Sequence, residues 1–144
     1  MYIHNVLTAE YCDKLILEHP CDSDIFINEE LSNIVKNCLV EQNIQIPMPW
    51  FFKRYNINES IGVHADGHRK YGSIKSFATI IIYLNDDFKD GETCIVDYNF
   101  HETTIKTKIK PVKGSAYIFD QDIYHMSNPA SKPKYILRND LFII

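Results

Sequence analysis

The sequence predicts a mainly β chain with flanking helices, an α+β arrangement whose core is a sandwich, jelly roll or barrel. Three observations lead there. Two helix-period patterns lie in the first 41 residues. From Trp50 onward, short runs of β-branched and aromatic residues alternate with polar turns. No repeat, low-complexity tract or linker interrupts the 144 residues. One domain over 1–144 is therefore expected, with 1–49 as helical support and 50–144 as the β core.

The elements follow in order. Thr8 suits the N-cap of a first helix, whose apolar face carries Cys12, Leu15 and Ile16. Glu29 to Glu41 repeats that spacing with Leu31, Ile34, Val35, Cys38 and Leu39. Prolines at 47 and 49 close the helical part. Trp50 to Ile57 is aromatic-rich, and Ser76 to Leu84 is dense in β-branched residues before the turn-forming Asn85-Asp86-Asp87. Thr93 to Tyr98 is a short apolar run. Thr103 to Lys110 alternates as a half-exposed strand does. Ser115 to Phe119 and Lys134 to Ile144 complete the set. Both helices are expected to pack outside the β core.

Composition narrows the function. With 45% hydrophobic and 24% charged residues, a packed core is expected. A net charge of −4 argues against a partner bound through its phosphate backbone, so nucleic acid is disfavoured. The longest apolar run, Ala78 to Leu84, suits a buried strand and not a membrane span. The N-terminal segment has no basic region followed by an apolar core, so a cytoplasmic location is expected. Cys12, Cys21, Cys38 and Cys94 have neither metal nor redox spacing and are expected to be free, buried thiols.

Of six histidines, His64 stands out because Asp66 lies two residues on. In a strand such residues point to one side, so an imidazole and a carboxylate can face one metal. His125 lies 59 residues after Asp66, just beyond an apolar run. Brought opposite, it completes a two-His, one-carboxylate facial set that leaves coordination positions open and suits non-haem Fe(II). A cosubstrate such as 2-oxoglutarate would occupy two of those positions and bury a distal carboxylate, which needs a cation. Lys134 and Arg138 follow His125 by 9 and 13 residues and share one strand face with Ile136, so either could serve.

The order of these residues resembles the prolyl 4-hydroxylase-like group of Fe(II)/2-oxoglutarate dioxygenases. Arg54-Tyr55 before His64-Ala65-Asp66 is similar to that family's opening. Ala78-Thr79 with Tyr83-Leu84-Asn85 resembles its next strand, and Phe88 with Gly91-Glu92-Thr93 its turn. Pro111, Gly114, Phe119 and His125 resemble the following segment, and Lys134-Tyr135-Ile136-Leu137-Arg138 the final strand. Val6 to Glu10 is similar to the usual entry into the first helix. Two positions depart from the pattern: Asp90 stands where a first glycine is usual, and Pro133 precedes Lys134 in place of glycine.

The resemblance implies a double-stranded β-helix, a cupin-like jelly roll, with the two N-terminal helices on one sheet. It implies Fe(II) on His64, Asp66 and His125, and O2, 2-oxoglutarate and possible support by ascorbate. Lys134 would meet the distal carboxylate of 2-oxoglutarate, with the hydroxyls of Tyr83 and Tyr55 beside it. Arg138 would lie at the pocket mouth, near substrate or an acidic neighbour such as Asp140. Thr79 would line the pocket wall, Arg54 would bind substrate or form a surface ion pair, and His68 would be an exposed turn residue without a partner. The implied reaction is hydroxylation, since a carboxylate occupies the position that halogenating relatives leave open. A prolyl residue in a peptide or protein is the implied substrate. A free amino acid, another small molecule, alkylated nucleic acid, a non-catalytic jelly-roll module and a zinc hydrolase are the alternatives.

Overall fold

Thr8 opens the chain's first helix as expected. In the computed structural model, which describes residues 1–41 and 43–144, its side chain accepts a hydrogen bond of 3.1 Å from the Tyr11 N–H. Along the chain run β1 (Tyr2–Ile3), α1 (Ala9–Glu18), β2 (Ser23–Ile27), α2 (Glu29–Cys38), β3 (Ile44–Gln45), β4 (Pro49–Tyr55) and β5 (Ile61–His64). Then come β6 (Lys70–Tyr71), β7 (Ile74–Tyr83), β8 (Thr93–Tyr98), β9 (Thr103–Ile109), β10 (Ala116–Asp120), β11 (His125–Ser127) and β12 (Lys134–Ile143).

The strands form two antiparallel sheets. The larger runs β1-β10-β7-β12-β4-β2, with β3 added to β12 and β6 to β7; the smaller runs β5-β11-β8-β9. Long strands β7 and β12 are central and pair with one another from Ile136 opposite Tyr83 to Phe142 opposite Ser76. Period-two alternation then sorts their side chains into two cores. Ala78, Ile80 and Ile82 of β7 and Leu137 and Leu141 of β12 join one buried cluster. Trp50 and Phe52 of β4, Cys12 and Leu15 of α1, and Leu31 and Val35 of α2 belong to the same cluster. Ile81, Tyr83 and Ile136 point the other way and meet Tyr55, Ile109 and Phe119. Burial on both faces explains why β7 reads as a continuous apolar run and not as an alternating one.

Several expectations shift. Helix α2 stops at Cys38, not Glu41, because Leu39 leaves helical geometry (φ −92°, ψ 137°) and buries its side chain in the first cluster. The N-terminal portion supplies strands as well as helices: β2 pairs with β4 along the edge of the larger sheet. Strand β9 is exposed apart from Ile109, as befits the edge of the smaller sheet, where lysines discourage further pairing. All four cysteines are free, but only Cys12 and Cys94 are buried; Cys21 and Cys38 are exposed. Asp90 adopts φ 62°, the left-handed region that glycine would take freely, so the turn before β8 is kept without the usual residue. Among the described residues no helix is long and apolar enough to cross a membrane.

Candidate active site

Strands β5 and β11 are neighbours, and their register sets His64 opposite His125. The chain leaves β5 at His64, so Asp66 comes from the segment beyond the strand and not from the alternation within it. Its carboxylate still turns toward both imidazoles. Asp66 Oδ1 lies 3.4 Å from His64 Nε2 and 3.6 Å from His125 Nε2, and the two ring centroids are 4.2 Å apart. Ligand atoms from the three residues fall within 4.8 Å of one another.

The remaining ring nitrogens are fixed from behind. His64 Nδ1–H donates to the Gly62 carbonyl at 2.8 Å, and His125 Nδ1–H to the Ile123 carbonyl at 3.1 Å. A carbonyl only accepts, so each bond fixes the Nδ1–H and turns Nε2 toward the cluster, where His64 Nε2 donates to Asp66 while the ring is protonated and offers a lone pair once that proton is lost. The second carboxylate oxygen, Asp66 Oδ2, accepts a 2.7 Å hydrogen bond from Thr79 Oγ1 and lies 3.4 Å from Arg138 Nη2. Burial opposes the charge on Asp66. The hydrogen bonds from His64 and Thr79, with the nearby charges of Arg138 and His125, outweigh it and hold the carboxyl below its usual range. The hydrogen bond to Asp66 raises the His64 pKa, whereas burial lowers that of His125. Two imidazole nitrogens and one carboxylate oxygen, each held in place, are a donor set that fits a divalent iron ion with open positions.

The cluster opens into a cavity of about 1100 Å³ between the sheets, which Lys134, Tyr55, Tyr83 and Arg138 also line. Lys134 forms its floor, at 2% exposure. Its ammonium donates to the Gly91 carbonyl at 2.9 Å and to Ser127 Oγ, and sits 4.9 Å from the centre of the Tyr55 ring. Desolvation lowers its pKa to about 8. The Tyr83 hydroxyl shares a 2.7 Å hydrogen bond with Thr93 Oγ1, and burial raises its pKa. Burial pushes Tyr55 up to about 12, so both phenols remain protonated. Arg138 lies one turn of the pleat beyond Ile136, where it bridges Asp66 and Asp140; its Nη2 is 3.4 Å from Asp140 Oδ1.

Two expectations are corrected. His68 has partners: Nδ1–H donates to the Ser76 carbonyl at 2.7 Å, and Nε2 meets Asp122 Oδ1 at 2.9 Å, which raises its pKa. It turns inward because the short β6–β7 hairpin folds that loop back onto β7. Arg54 neither lines the cavity nor forms an ion pair among the described residues; its guanidinium packs 6.0 Å from the centre of the Tyr135 ring on the opposite sheet face. Three contributors went unnoticed in the sequence. Ser127 lies two residues after His125 on the short strand β11, a spacing that carried the signal. Gln121, fully buried, donates to Thr79 Oγ1 at 3.2 Å and to Asp140 Oδ1 at 2.7 Å, and Arg69 pairs with Asp140 Oδ2 at 3.1 Å. Neither shows a sequence signal, because each acts through a partner distant in the chain.

Residues 50–139 match the 2OG-Fe(II) oxygenase superfamily. No curated protein matches the chain by sequence. Among solved structures, the chain is similar to the viral collagen prolyl hydroxylase of Paramecium bursaria Chlorella virus-1 in its 2OG complex. That likeness has 20% identity and a TM-score of 0.69, over 100% of this chain and 95% of that one. A prolyl-4-hydroxylase of Pseudomonas putida is 14% identical, with a TM-score of 0.66 over 99% of this chain and 91% of that one. A Trichoplax adhaerens prolyl hydroxylase, in complex with a hypoxia inducible factor oxygen degradation domain peptide fragment, is 15% identical. Its TM-score is 0.67 over 100% of this chain and 82% of that one. With the match spanning His64, Asp66 and His125, the chain belongs to the 2OG-Fe(II) oxygenase superfamily and is a 2-oxoglutarate-dependent dioxygenase that uses iron(II).

Proposed function

We propose that this dioxygenase hydroxylates a prolyl residue of a peptide or protein, with His64, Asp66 and His125 as its iron ligands. The observation that carries the metal assignment is the convergence of two Nε2 lone pairs and Asp66 Oδ1 at one point of the cavity wall. The prolyl assignment draws its support from the three similar structures, all prolyl hydroxylases, one holding a peptide. In this reading residues 1–144 act as one domain. The two antiparallel sheets and the paired apolar clusters support a double-stranded β-helix with α1 and α2 outside the larger sheet.

Bound iron with 2-oxoglutarate supplies the oxidising chemistry, in which dioxygen gives one atom to the substrate C–H and one to succinate as carbon dioxide leaves. The chain's residues orient that chemistry. Lys134 holds the distal carboxylate of 2-oxoglutarate at the cavity floor, where the protonated Tyr55 and Tyr83 hydroxyls lie near it. Thr79 and Arg138 engage Asp66 Oδ2 and so leave Oδ1 for the metal. Ile81 and Ile136, with Phe119 packed in the same cluster, keep the wall apolar and limit water. Conversion of labelled 2-oxoglutarate to succinate with iron and ascorbate tests the reading. Release that depends on iron and rises with proline-containing peptides supports it; no release under any of these conditions leaves a non-catalytic module instead.

A further inference from the structure

The charges around the cavity do not cancel once it is filled. Among the side chains of the described residues, three cations line it, Arg69, Lys134 and Arg138, against two carboxylates, Asp66 and Asp140. A divalent iron and a 2-oxoglutarate dianion add nothing to that balance, so one positive charge is left over. Its place can be located. Lys134 at the floor meets 2-oxoglutarate and Asp66 Oδ1 meets iron, which leaves Arg69 and Arg138 sharing the carboxylate of Asp140, with Arg138 also 3.4 Å from Asp66 Oδ2. Asp140 already accepts from Gln121, so neither guanidinium is fully satisfied by it. The burial gradient says that this pair faces the entrance. Lys134 is 2% exposed, the Arg138 side chain 22% and that of Arg69 62%. A substrate reaching the iron from the mouth passes both arginines, and the second lies next to the metal ligand Asp66.

We propose that the substrate carries a carboxylate close to the carbon that is hydroxylated, and that Arg138, assisted by Arg69, binds it. This inference rests on the iron and 2-oxoglutarate placement given above. A guanidinium presents paired N–H donors that match a carboxylate in plane. A phosphate monoester would bring about −1.5 to −2 charges, more than the cavity leaves open, and would face Asp140 directly. A nucleic-acid backbone would need a wider basic surface than a chain of net charge −4 offers. The carboxylate has two sources: an acidic residue beside the target in a peptide, or the α-carboxylate of a free imino acid.

Matched acid and amide probes separate these cases. Protein loaded with Mn(II) and N-oxalylglycine, which cannot turn over, is titrated in two arms. One compares N-acetylproline with its amide; the other compares acetyl-Ala-Pro-Glu-Ala-amide with its Gln counterpart. We expect the acid to bind about tenfold to a hundredfold tighter than the amide in one arm, and the arm identifies the source. Arg138→Gln should bring that ratio close to one, Arg138→Lys should retain part of it, and Arg69→Gln should reduce it. Each ratio is measured within one variant, so any weaker metal or cosubstrate binding cancels. Ratios near one in both arms, or a ratio that survives both glutamine substitutions, overturn the proposal. If succinate is still released from 2-oxoglutarate in that event, only the carboxylate inference falls. If Mn(II) does not bind and no succinate forms, the dioxygenase site falls and takes this inference with it.

Discussion

Lys134 holds its charge in a place that gives it little in return. The side chain is almost fully buried, it donates to a carbonyl and a serine, and among the described residues no carboxylate lies within ion-pair distance. Such an ammonium is stabilised only when an anion arrives. Its folded pKa of about 8 lies below the free value of 10.5, so between those pH values the unfolded chain holds a proton that the folded one has lost. The protein without cosubstrate should therefore gain stability as pH rises through that window. With Lys134 as the proposed partner of its distal carboxylate, 2-oxoglutarate should act in the opposite sense, because the dianion restores the ammonium. Its binding should take up a proton above pH 8 and weaken as pH climbs further, which calorimetry in two buffers of different ionisation enthalpy measures. Lys134→Ala should raise the KM for 2-oxoglutarate by an amount equivalent to about 2–5 kcal/mol while metal still binds. Arg138→Ala should instead alter substrate affinity or metal affinity, since its guanidinium touches Asp66 and Asp140. A large 2-oxoglutarate KM effect in Arg138→Ala alone would reverse the two assignments. At this scale the sequence was legible for the convergence of His64, Asp66 and His125 and for the presence of Lys134 in the same cavity. It was not legible for Gln121 and Arg69, whose roles exist only through Asp140 and Thr79.

Elements were legible where local pattern and tertiary setting agree. β7 and β12 are long, β7 rich in β-branched residues and β12 in bulky apolar ones, and the sheet buries them as their composition asks. α1 begins at its capping threonine for a purely local reason. β2 was missed because an edge strand of five residues between two helices carries only Ile25-Phe26-Ile27 as signal, and its existence depends on β4 lying beside it. The end of β5 was missed as well: nothing in Val63-His64-Ala65-Asp66 announces that the strand stops at His64. Gly114 shows the same dependence on distant contacts. Its φ is 81°, its carbonyl accepts from the Val6 and Leu7 N–H groups, and a Cβ there would lie 2.3 Å from the Leu7 carbonyl oxygen. Backbone cannot yield as a flexible side chain can, so Gly114→Ala should cost about 2–4 kcal/mol in urea unfolding. Gly62→Ala, with nothing within 4 Å of the added carbon, should stay within about 0.5 kcal/mol. Equal effects of the two substitutions would mean that Val6 and Leu7 do not dock on Gly114 in the β9–β10 connection.

The residues proposed as metal ligands also contribute to the stability of the whole molecule, and two pH dependences of opposite slope follow. Without metal, His64 and Asp66 satisfy each other. The His64 pKa is raised by that contact, so its contribution is complete below about 6.5 and fades as pH rises through the folded value. The Asp66 pKa is depressed, so its contribution is present above about 4 and is lost as acid protonates it. A metal ion replaces the proton on His64, whereas His125 loses its proton more readily because burial lowers its pKa. Metal binding should thus release a proton from His64 and strengthen with pH until His64 is deprotonated. Co(II) or Fe(II) at a hundred times its Kd should stabilise the fold by about 2.7 kcal/mol. For a chain of 144 residues that corresponds to roughly 8–12 °C in Tm. The difference in Tm between metal-loaded and chelator-treated protein should therefore widen from pH 6 to pH 7.5. It should vanish in His125→Ala, which removes a ligand without touching the His64–Asp66 pair. A shift that persists in His125→Ala, or that narrows as pH rises, would place the stabilising ion somewhere other than His64, Asp66 and His125.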